Sequence, residues 1–533
     1  MTKIESASDL PALDDQSASW RPVAVIDIGT SLIRMVIAEI SPQGEIHRLE
    51  DLSRAVNLGK DSFTRRSIRK QTIEECVQVL KSYRALMEQY HIRNASQIRA
   101  VATSAVREAM NKLAFVDRIY IATGIEIQIL DEAEVNRITY LGVQPRLAEE
   151  PALQEANICL TEIGGGSTEL LLISGKDVHY SNTFRLGSLR LREMLESAGS
   201  TATSSSRNLL RPHIQQSIER MLDETSDYTG IQMVALGGDM RFAAHQLHPE
   251  WDREALAPLS AKEVSDFAEK ILAMSEDKLV RKYHLTLNDA ETLGIALLAY
   301  AELAKAFKVR TVYVSSQNMR DGLLLEMTSQ GAWSTAFEDQ VIRSAIDTGH
   351  KFNFDEKHAK HVANLSRMLF RELVGQHQLD PHYEILLYVA ALLHEIGLFI
   401  GQRGYHKHSM YLIQHATLFG ISEKNLVLIA MIVRYHRRAS PKPTHTAFAS
   451  LNRESRVIIA KLAAILRVAV ALDQSYSQRI QSFTTKMTDT RFEINVRNVE
   501  DLSLEQIALK QNNMMFEEIY GVPVLLRRDT KSV

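Results

Sequence analysis

The sequence predicts an α/β protein made of two repeated α/β segments, followed by an all-helical region and a small α+β tail. Three observations predict it. Two glycine turns, in Asp27–Ser31 and Glu162–Thr168, lie roughly 135 residues apart, and each follows an apolar strand that ends in an acid. Beyond Trp333, helical patterns follow one another with no strong strand until Phe492. The chain then closes with "RFEINVRN", a helical stretch around Leu504 to Phe516, and "VPVLLRR", which read as a mixed end.

The elements follow in order. Met1 to Trp20 is polar, acidic and without an apolar run, so it reads as a disordered leader rather than a signal peptide. "VAVIDIGTSLIRMVIAEI" reads as strand, glycine turn, strand; "TIEECVQVLKSYRALMEQY" as an amphipathic helix; "IRAVATSAVREAM" as a strand running into a helix. "IEIQIL" is a further strand, with a helix around Glu132 to Leu141 and a loop at "QPRLAEEPALQEA". The second segment opens with "NICLTEIGGGSTELLLIS", again strand, glycine turn, strand, and "SAGSTATSSS" from Ser197 to Ser206 reads as a flexible surface loop. The expected divisions are 1–21 for the leader, 22–143 and 144–327 for the α/β lobes, 336–475 for the helical domain and 476–533 for the α+β tail.

The chain has 533 residues, 45% hydrophobic and 24% charged, which is ordinary for a soluble globular protein but too long for one core. A net charge of −3 provides no global attraction to nucleic acid or anionic lipid, so any polyanion site must be local. The only two cysteines, Cys76 and Cys159, form no metal-like spacing or disulfide framework, which points to a reducing, cytoplasmic setting. The most apolar helices carry His394 and Glu395, or Glu302 and Lys305, and none reads as a membrane span.

A glycine turn leaves backbone N–H groups open to an oxyanion, because no Cβ intervenes. Gly164, Gly165 and Gly166 can cradle a phosphate, with Ser167 and Thr168 adding hydroxyls. Gly29, Thr30 and Ser31 offer the same in the first segment, and Gly237 and Gly238 lead a strand into a helix that could hold a further phosphate. None is a Walker A loop, since no Gly-Lys-Ser/Thr follows. The alternative for each turn alone is a tight hairpin. Asp27, Glu162 and Glu169 flank these cradles, where carboxylates repel phosphate unless a divalent cation, usually Mg²⁺, sits between them. The alternative for each acid alone is a solvated loop charge or a turn cap.

The strings "VIDIGTSLIRMVI", "ATSAVREAMN", "IEIQILDEAEVNRITYLGV", "EIGGGSTELLL", "LGGDMRFAA" and "SSQNMRDGLL" resemble the exopolyphosphatase and guanosine pentaphosphate phosphatase (Ppx/GppA) family. The resemblance continues through "AALLHEIG", "HKHSMYLI", "MIVRYHRR" and "AAILRVAVALDQS", and so covers almost the whole chain. It implies two actin-like (ribonuclease H-like, ASKHA) lobes with the site between them, and Mg²⁺-dependent hydrolysis of terminal phosphoanhydride bonds. It implies that Asp27 and Gly29 belong to the first phosphate loop, Gly164 to Ser167 and Glu169 to the second, and that Arg107 faces the phosphates. It further implies a homodimer.

Three departures stand out. Glu162 replaces the family's Asp. Gly29, Thr30, Ser31 and Leu32 replace Gly-Ser-Asn-Ser. At the position of the family's catalytic Glu, in a Ser-Gly-x-x-Glu-Ala-Arg run, an ungapped match places Val135, flanked by Glu132 and Glu134. The expected function is exopolyphosphatase-type release of phosphate from polyphosphate and guanosine pentaphosphate, with Glu134 orienting water and Arg107 stabilising the transferred group. Two alternatives stay open: a non-catalytic binder of polyphosphate or guanosine tetraphosphate, and an actin-fold ATPase or kinase.

His358, His394 with Glu395, and Asp473 fall in the order of an HD phosphohydrolase signature, with Glu395 in place of Asp. The expectation is a buried, hydrogen-bonded histidine cluster in an HD-like domain without a metal. His406, His408, Arg434, His436, Arg437 and Arg438 read as a basic surface for a polyanion, and "FTRRSIRK" at Phe63 to Lys70 as another basic stretch.

Overall fold

A computed structural model describes residues 20–197, 204–328, 335–437 and 439–528. The expected leader before Trp20, the middle of the Ser197–Ser206 loop, and Arg438 lie outside the described residues. The chain divides into two compact units, one running to Ile129 and including Leu323–Gln330, the other comprising Leu130–Gly322 and Gly331–Val533.

In the first unit, β1 (Arg21–Ile28), β2 (Leu32–Ile40), β3 (Ile46–Ala55), β4 (Ile98–Ala102) and β5 (Ile127–Ile129) form one sheet in the order β3-β2-β1-β4-β5. β1–β3 are antiparallel neighbours, and β4 and β5 run parallel to β1. Val23 to Ile26 are fully buried in the central strand, as a continuous apolar run covered on both faces requires. The helix Lys70–Gln89 turns Ile73, Cys76, Val77, Leu80, Tyr83 and Met87 inward at helical spacing, and the Tyr83 hydroxyl donates to the Ile33 carbonyl at 2.9 Å.

The second unit repeats that plan. β6 (Asn157–Ile163), β7 (Thr168–Ser174) and β8 (Asp177–Phe184) are antiparallel; β9 (Ile231–Ala235) and β11 (Thr311–Val314) run parallel to β6; β10 (Ala257–Ser260) adds an antiparallel edge. The order is β10-β11-β9-β6-β7-β8, the first unit's arrangement with one added strand. The sequence repeat is therefore a repeat of topology.

Helices Thr335–Lys351, Glu356–Glu372, Tyr383–Leu393, Glu423–Arg434 and Arg453–Leu472 build the helical part around one apolar core. Ile385 to Leu393 are all buried, so Tyr383–Leu393 is its central helix. This part is tied to the second sheet by Gln340, which donates to the Lys176 carbonyl at 2.7 Å and to the Tyr140 hydroxyl at 3.1 Å, and by an Arg343–Asp177 ion pair at 2.6 Å. The tail is a three-stranded sheet, β12 (Phe483–Met487), β13 (Phe492–Val496) and β14 (Val524–Arg528).

Three expectations need correction. The helix from Glu132 continues to Glu149, through Pro145 and through the expected loop start, so a boundary at Val143 would cut it. It packs on β7 and β8 and belongs to the second unit. The tail helix is two helices, Ser503–Asn512 and Met514–Tyr520. Among the described residues, no helix is long and apolar enough to cross a membrane.

Candidate functional site

The two glycine turns are built alike. Gly29 donates from its N–H to the Leu32 carbonyl at 3.0 Å, and Gly164 donates to the Ser167 carbonyl at 2.8 Å. Each is thus a four-residue hairpin closing β1–β2 or β6–β7. The tight-hairpin reading holds for both, and it does not compete with anion binding, because the carbonyls are tied down on one side. The Thr30 and Ser31 carbonyls accept from Gly59 at 2.8 Å and Val56 at 2.9 Å.

In the second turn the Gly164, Gly165 and Gly166 carbonyls accept from Ser188 N–H at 2.9 Å, Arg190 N–H at 3.0 Å and Arg190 Nε at 2.9 Å. Across a trans peptide, the next N–H points opposite to the carbonyl. The N–H groups of Gly165, Gly166 and Ser167 therefore point away from the Ser188–Arg190 backing. Three amides in succession thus present donors on one side of the turn, opposite the backing. Gly187 makes the backing close: a Cβ there would lie 2.5 Å from the Gly165 carbonyl oxygen and the Gly166 carbonyl carbon.

The two hydroxyls are not free donors to an anion. Thr168 is fully buried and donates to the Leu186 carbonyl at 2.5 Å, and Ser167 Oγ donates to Glu169 Oε1 at 2.7 Å. Thr168 is a structural anchor, which corrects its expected role, and the Ser167 hydroxyl is committed to Glu169.

The third turn lies against the second. Gly237, at φ +93°, caps the helix Gly238–Leu247, and a Cβ on it would approach the Tyr300 hydroxyl at 3.1 Å and Glu162 Cγ at 3.7 Å. Tyr300, fully buried, accepts from Ile163 N–H and donates to the Leu236 carbonyl, both at 2.7 Å. One phenol thereby clamps the ends of β6 and β9. Burial, and then the Glu162 charge, push that phenol well above its ordinary pKa, so it stays a neutral donor.

The flanking acids suit a hard divalent cation. Glu162 and Glu169 are directly paired across β6 and β7, so their side chains share one face. Like charges so placed repel, and a cation between them removes the penalty. Asp27, largely buried, has Arg34 Nη1 at 3.6 Å, and the same guanidinium lies 3.7 Å from where a Gly29 Cβ would stand. Arg34 brings a positive charge to the first turn that sequence reasoning missed, although its alternation along β2 was visible. Arg107 ends the short helix Ser104–Arg107, whose start is anchored by Thr103 N–H on the Ile28 carbonyl at 3.3 Å. That helix therefore begins beside the end of β1 where the first turn starts.

Glu134 has a structural job. Asp131 accepts from Glu134 N–H at 2.9 Å, and Glu134 Oε2 accepts from Asp131 N–H at 3.2 Å, a capping box that starts the helix Glu132–Glu149. The residue expected as water-orienting base thus also caps this helix. Val135 is buried and Glu132 exposed.

In the helical part, His358, His394, Glu395 and Asp473 do converge: His358 Nδ1 and Asp473 Oδ2 are 2.8 Å apart. The expected basic surface holds only in part. His436 is 2% exposed, its Nδ1 donating to the Val433 carbonyl at 2.6 Å. Burial and the neighbouring Arg434 and Arg437 lower the His406 pKa to about 4, so it is neutral near pH 7.

Comparison with known proteins matches residues 36–330 to the model of the Ppx/GppA phosphatase family and residues 342–518 to that of Ppx/GppA phosphatase, domain III. A guanosine-5'-triphosphate,3'-diphosphate pyrophosphatase of Photobacterium profundum is 22% identical over 464 residues, 84% of this chain and 86% of that protein. One of Aliivibrio fischeri is 23% identical over 465 residues, covering 85% and 88%. The crystal structure of an exopolyphosphatase from Cytophaga hutchinsonii superposes with a TM-score of 0.53 at 20% identity, over 58% of this chain and all of that one.

Proposed function

Because the chain belongs to the Ppx/GppA phosphatase family, with actin-like N-terminal lobes and a helical C-terminal part, we propose that it releases terminal phosphate from inorganic polyphosphate and guanosine pentaphosphate. The observation that carries the proposal is the second turn. Three successive amides, at Gly165, Gly166 and Ser167, are aimed outward by carbonyls tied to Ser188 and Arg190. Such a rigid row of donors stabilises charge on phosphoryl oxygens without reorganising during the reaction. In this reading the Gly29–Ser31 turn, Arg34 and Arg107 serve phosphate in the first unit, and the Gly237–Gly238 helix start adds amides in the second. In the second unit Glu162 and Glu169 would hold Mg²⁺, which when bound neutralises phosphate oxygens, and in the first unit Asp27 offers a further carboxylate for it. A cytoplasmic homodimer completes the proposal; Leu113, Tyr120 and Ile121, exposed on one face of the helix Lys112–Thr123, support self-association.

A second reading, binding without turnover, would follow only if Val135 and the capping duty of Glu134 leave the site without a water-orienting carboxylate. We read the helical part as HD-like, supported by the meeting of His358 and Asp473. The deciding experiment measures phosphate release from long-chain polyphosphate and from guanosine pentaphosphate with Mg²⁺, beside Gly165→Val as a blank. Release by the native protein and none by the variant is expected. Tight binding of both substrates with no release establishes the binder instead.

A further inference from the structure

We propose a second, separate metal site in the helical part: one transition-metal ion of the Zn²⁺ class held by His358 Nε2, His394 Nε2 and the Glu395 carboxylate. One ligand atom from each lies within 4.8 Å of the others. His358 Nε2 is 3.9 Å from Glu395 Oε2, and His394 Nε2 is 3.9 Å from Glu395 Oε1, too long for hydrogen bonds. Both imidazoles are buried, 1% and 0% exposed, and both Nε2 atoms lack a hydrogen-bond partner. Two orphaned buried nitrogens aimed at one carboxylate need an explanation, since each such atom costs about 1–3 kcal/mol if left alone.

The other ring nitrogens explain the aim. His358 Nδ1 pairs with Asp473 Oδ2 at 2.8 Å, and His394 Nδ1 donates to the Ala391 carbonyl at 2.7 Å. A proton on each Nδ1 leaves each Nε2 lone pair facing inward, the outer-shell pattern that orients histidine for a metal. Asp473 is itself held by Gln478 N–H at 2.8 Å. Tyr476 donates to Glu395 Oε1 at 2.8 Å and stacks on the His358 ring with centroids 3.9 Å apart.

Bonds of about 2.1 Å put tetrahedral neighbours about 3.4 Å apart, so ligand atoms that lie within 4.8 Å of one another must close in on binding. Two imidazoles and one carboxylate favour zinc over Mg²⁺, which takes oxygen ligands, and they leave a fourth position open. Beside it lies a cavity of about 580 Å³, lined by Tyr405, His436, Arg437 and Tyr476 among others, with room for water or a small oxyanion. The sequence expectation of no metal rested on Glu395 replacing Asp in a bridging pair. For a single ion, the longer arm instead brings the carboxylate to both Nε2 atoms.

The test uses full-length protein, stripped with chelator and dialysed against Zn²⁺, followed by elemental analysis and thermal melting. One zinc per chain and a raised melting temperature are expected. Both should be lost in Glu395→Gln and His394→Ala and kept in Glu169→Gln. His394 is fully buried, so if its variant fails to fold, Glu395→Gln decides. No zinc in the native protein, equal zinc in Glu395→Gln, or zinc lost in Glu169→Gln overturns the assignment. None of these outcomes depends on phosphatase activity.

Discussion

Arg190 Nε holds the Gly166 carbonyl at 2.9 Å, and the same residue's N–H holds the Gly165 carbonyl at 3.0 Å. One residue thus sets the direction of two consecutive peptides and, through planarity, of the amides that follow them. Arg190→Ala should weaken polyphosphate binding by roughly tenfold or more, the scale of one hydrogen bond from a charged group. Melting temperature should change little. Calorimetry finding native affinity in Arg190→Ala would remove this brace from the site.

Gly187 tests the same geometry from behind. A Cβ placed 2.5 Å from the Gly165 oxygen must push the turn out of position. Gly187→Ala should therefore impair binding as much as a substitution in the turn itself, although residue 187 presents no group to the anion. Titration with long-chain polyphosphate measures this, and unchanged affinity means the turn tolerates displacement.

Tyr300→Phe removes one hydroxyl that satisfies both Ile163 N–H and the Leu236 carbonyl. Two buried backbone groups lose a partner, so the loss should be about 1–3 kcal/mol for each. Denaturant unfolding should show it, and binding should weaken too, since the clamp joins the strands that present Glu162 and Gly237. A variant as stable as the native chain would mean that water replaces the phenol.

Turnover should be limited at Val135. A water-orienting base contributes about 10²–10⁴-fold in rate, so Val135→Glu should raise phosphate release by roughly one to three powers of ten with affinity nearly unchanged. Glu134→Gln separates the alternatives cleanly, because Gln still completes the capping box. Native rates in that variant leave Glu134 as a cap; collapse of turnover with an intact fold makes it the base.

His377 should make the helical part acid-sensitive. It is fully buried, with Nε2 donating to the Phe370 carbonyl at 2.8 Å and Nδ1 accepting from Leu379 N–H at 2.9 Å, so both nitrogens are committed in the neutral ring. Burial holds its pKa below the ordinary 6.5. The unfolded chain then binds the proton more readily, so this stability is full above about pH 6.5 and drains as pH falls below it, by up to about 1.4 kcal/mol per pH unit. His377→Gln should flatten the slope between pH 7 and pH 5 in denaturant titrations. An unchanged slope would falsify the assignment.

The repeat, the two glycine turns and the acids beside them were legible in the sequence, because each is a local pattern. A run such as "VAVIDIG" or "CLTEIGG" must be a buried strand meeting a turn wherever it folds, and Glu162 and Glu169 are separated only by that turn. What the tertiary structure alone decided is which way groups face and who backs them. Thr168 looked like a phosphate donor until burial gave it the Leu186 carbonyl. The tertiary structure also shows Glu134 completing a capping box with Asp131, although that Asp-x-x-Glu spacing was there to read. Arg34, Gly187, Arg190 and Tyr300 act through contacts made across a sheet or from a distant helix. His358 meets Asp473 from 115 positions away. Local pattern determines strands and turns through short-range sterics and burial; convergence of polar groups depends on packing between elements, which no spacing along the chain encodes.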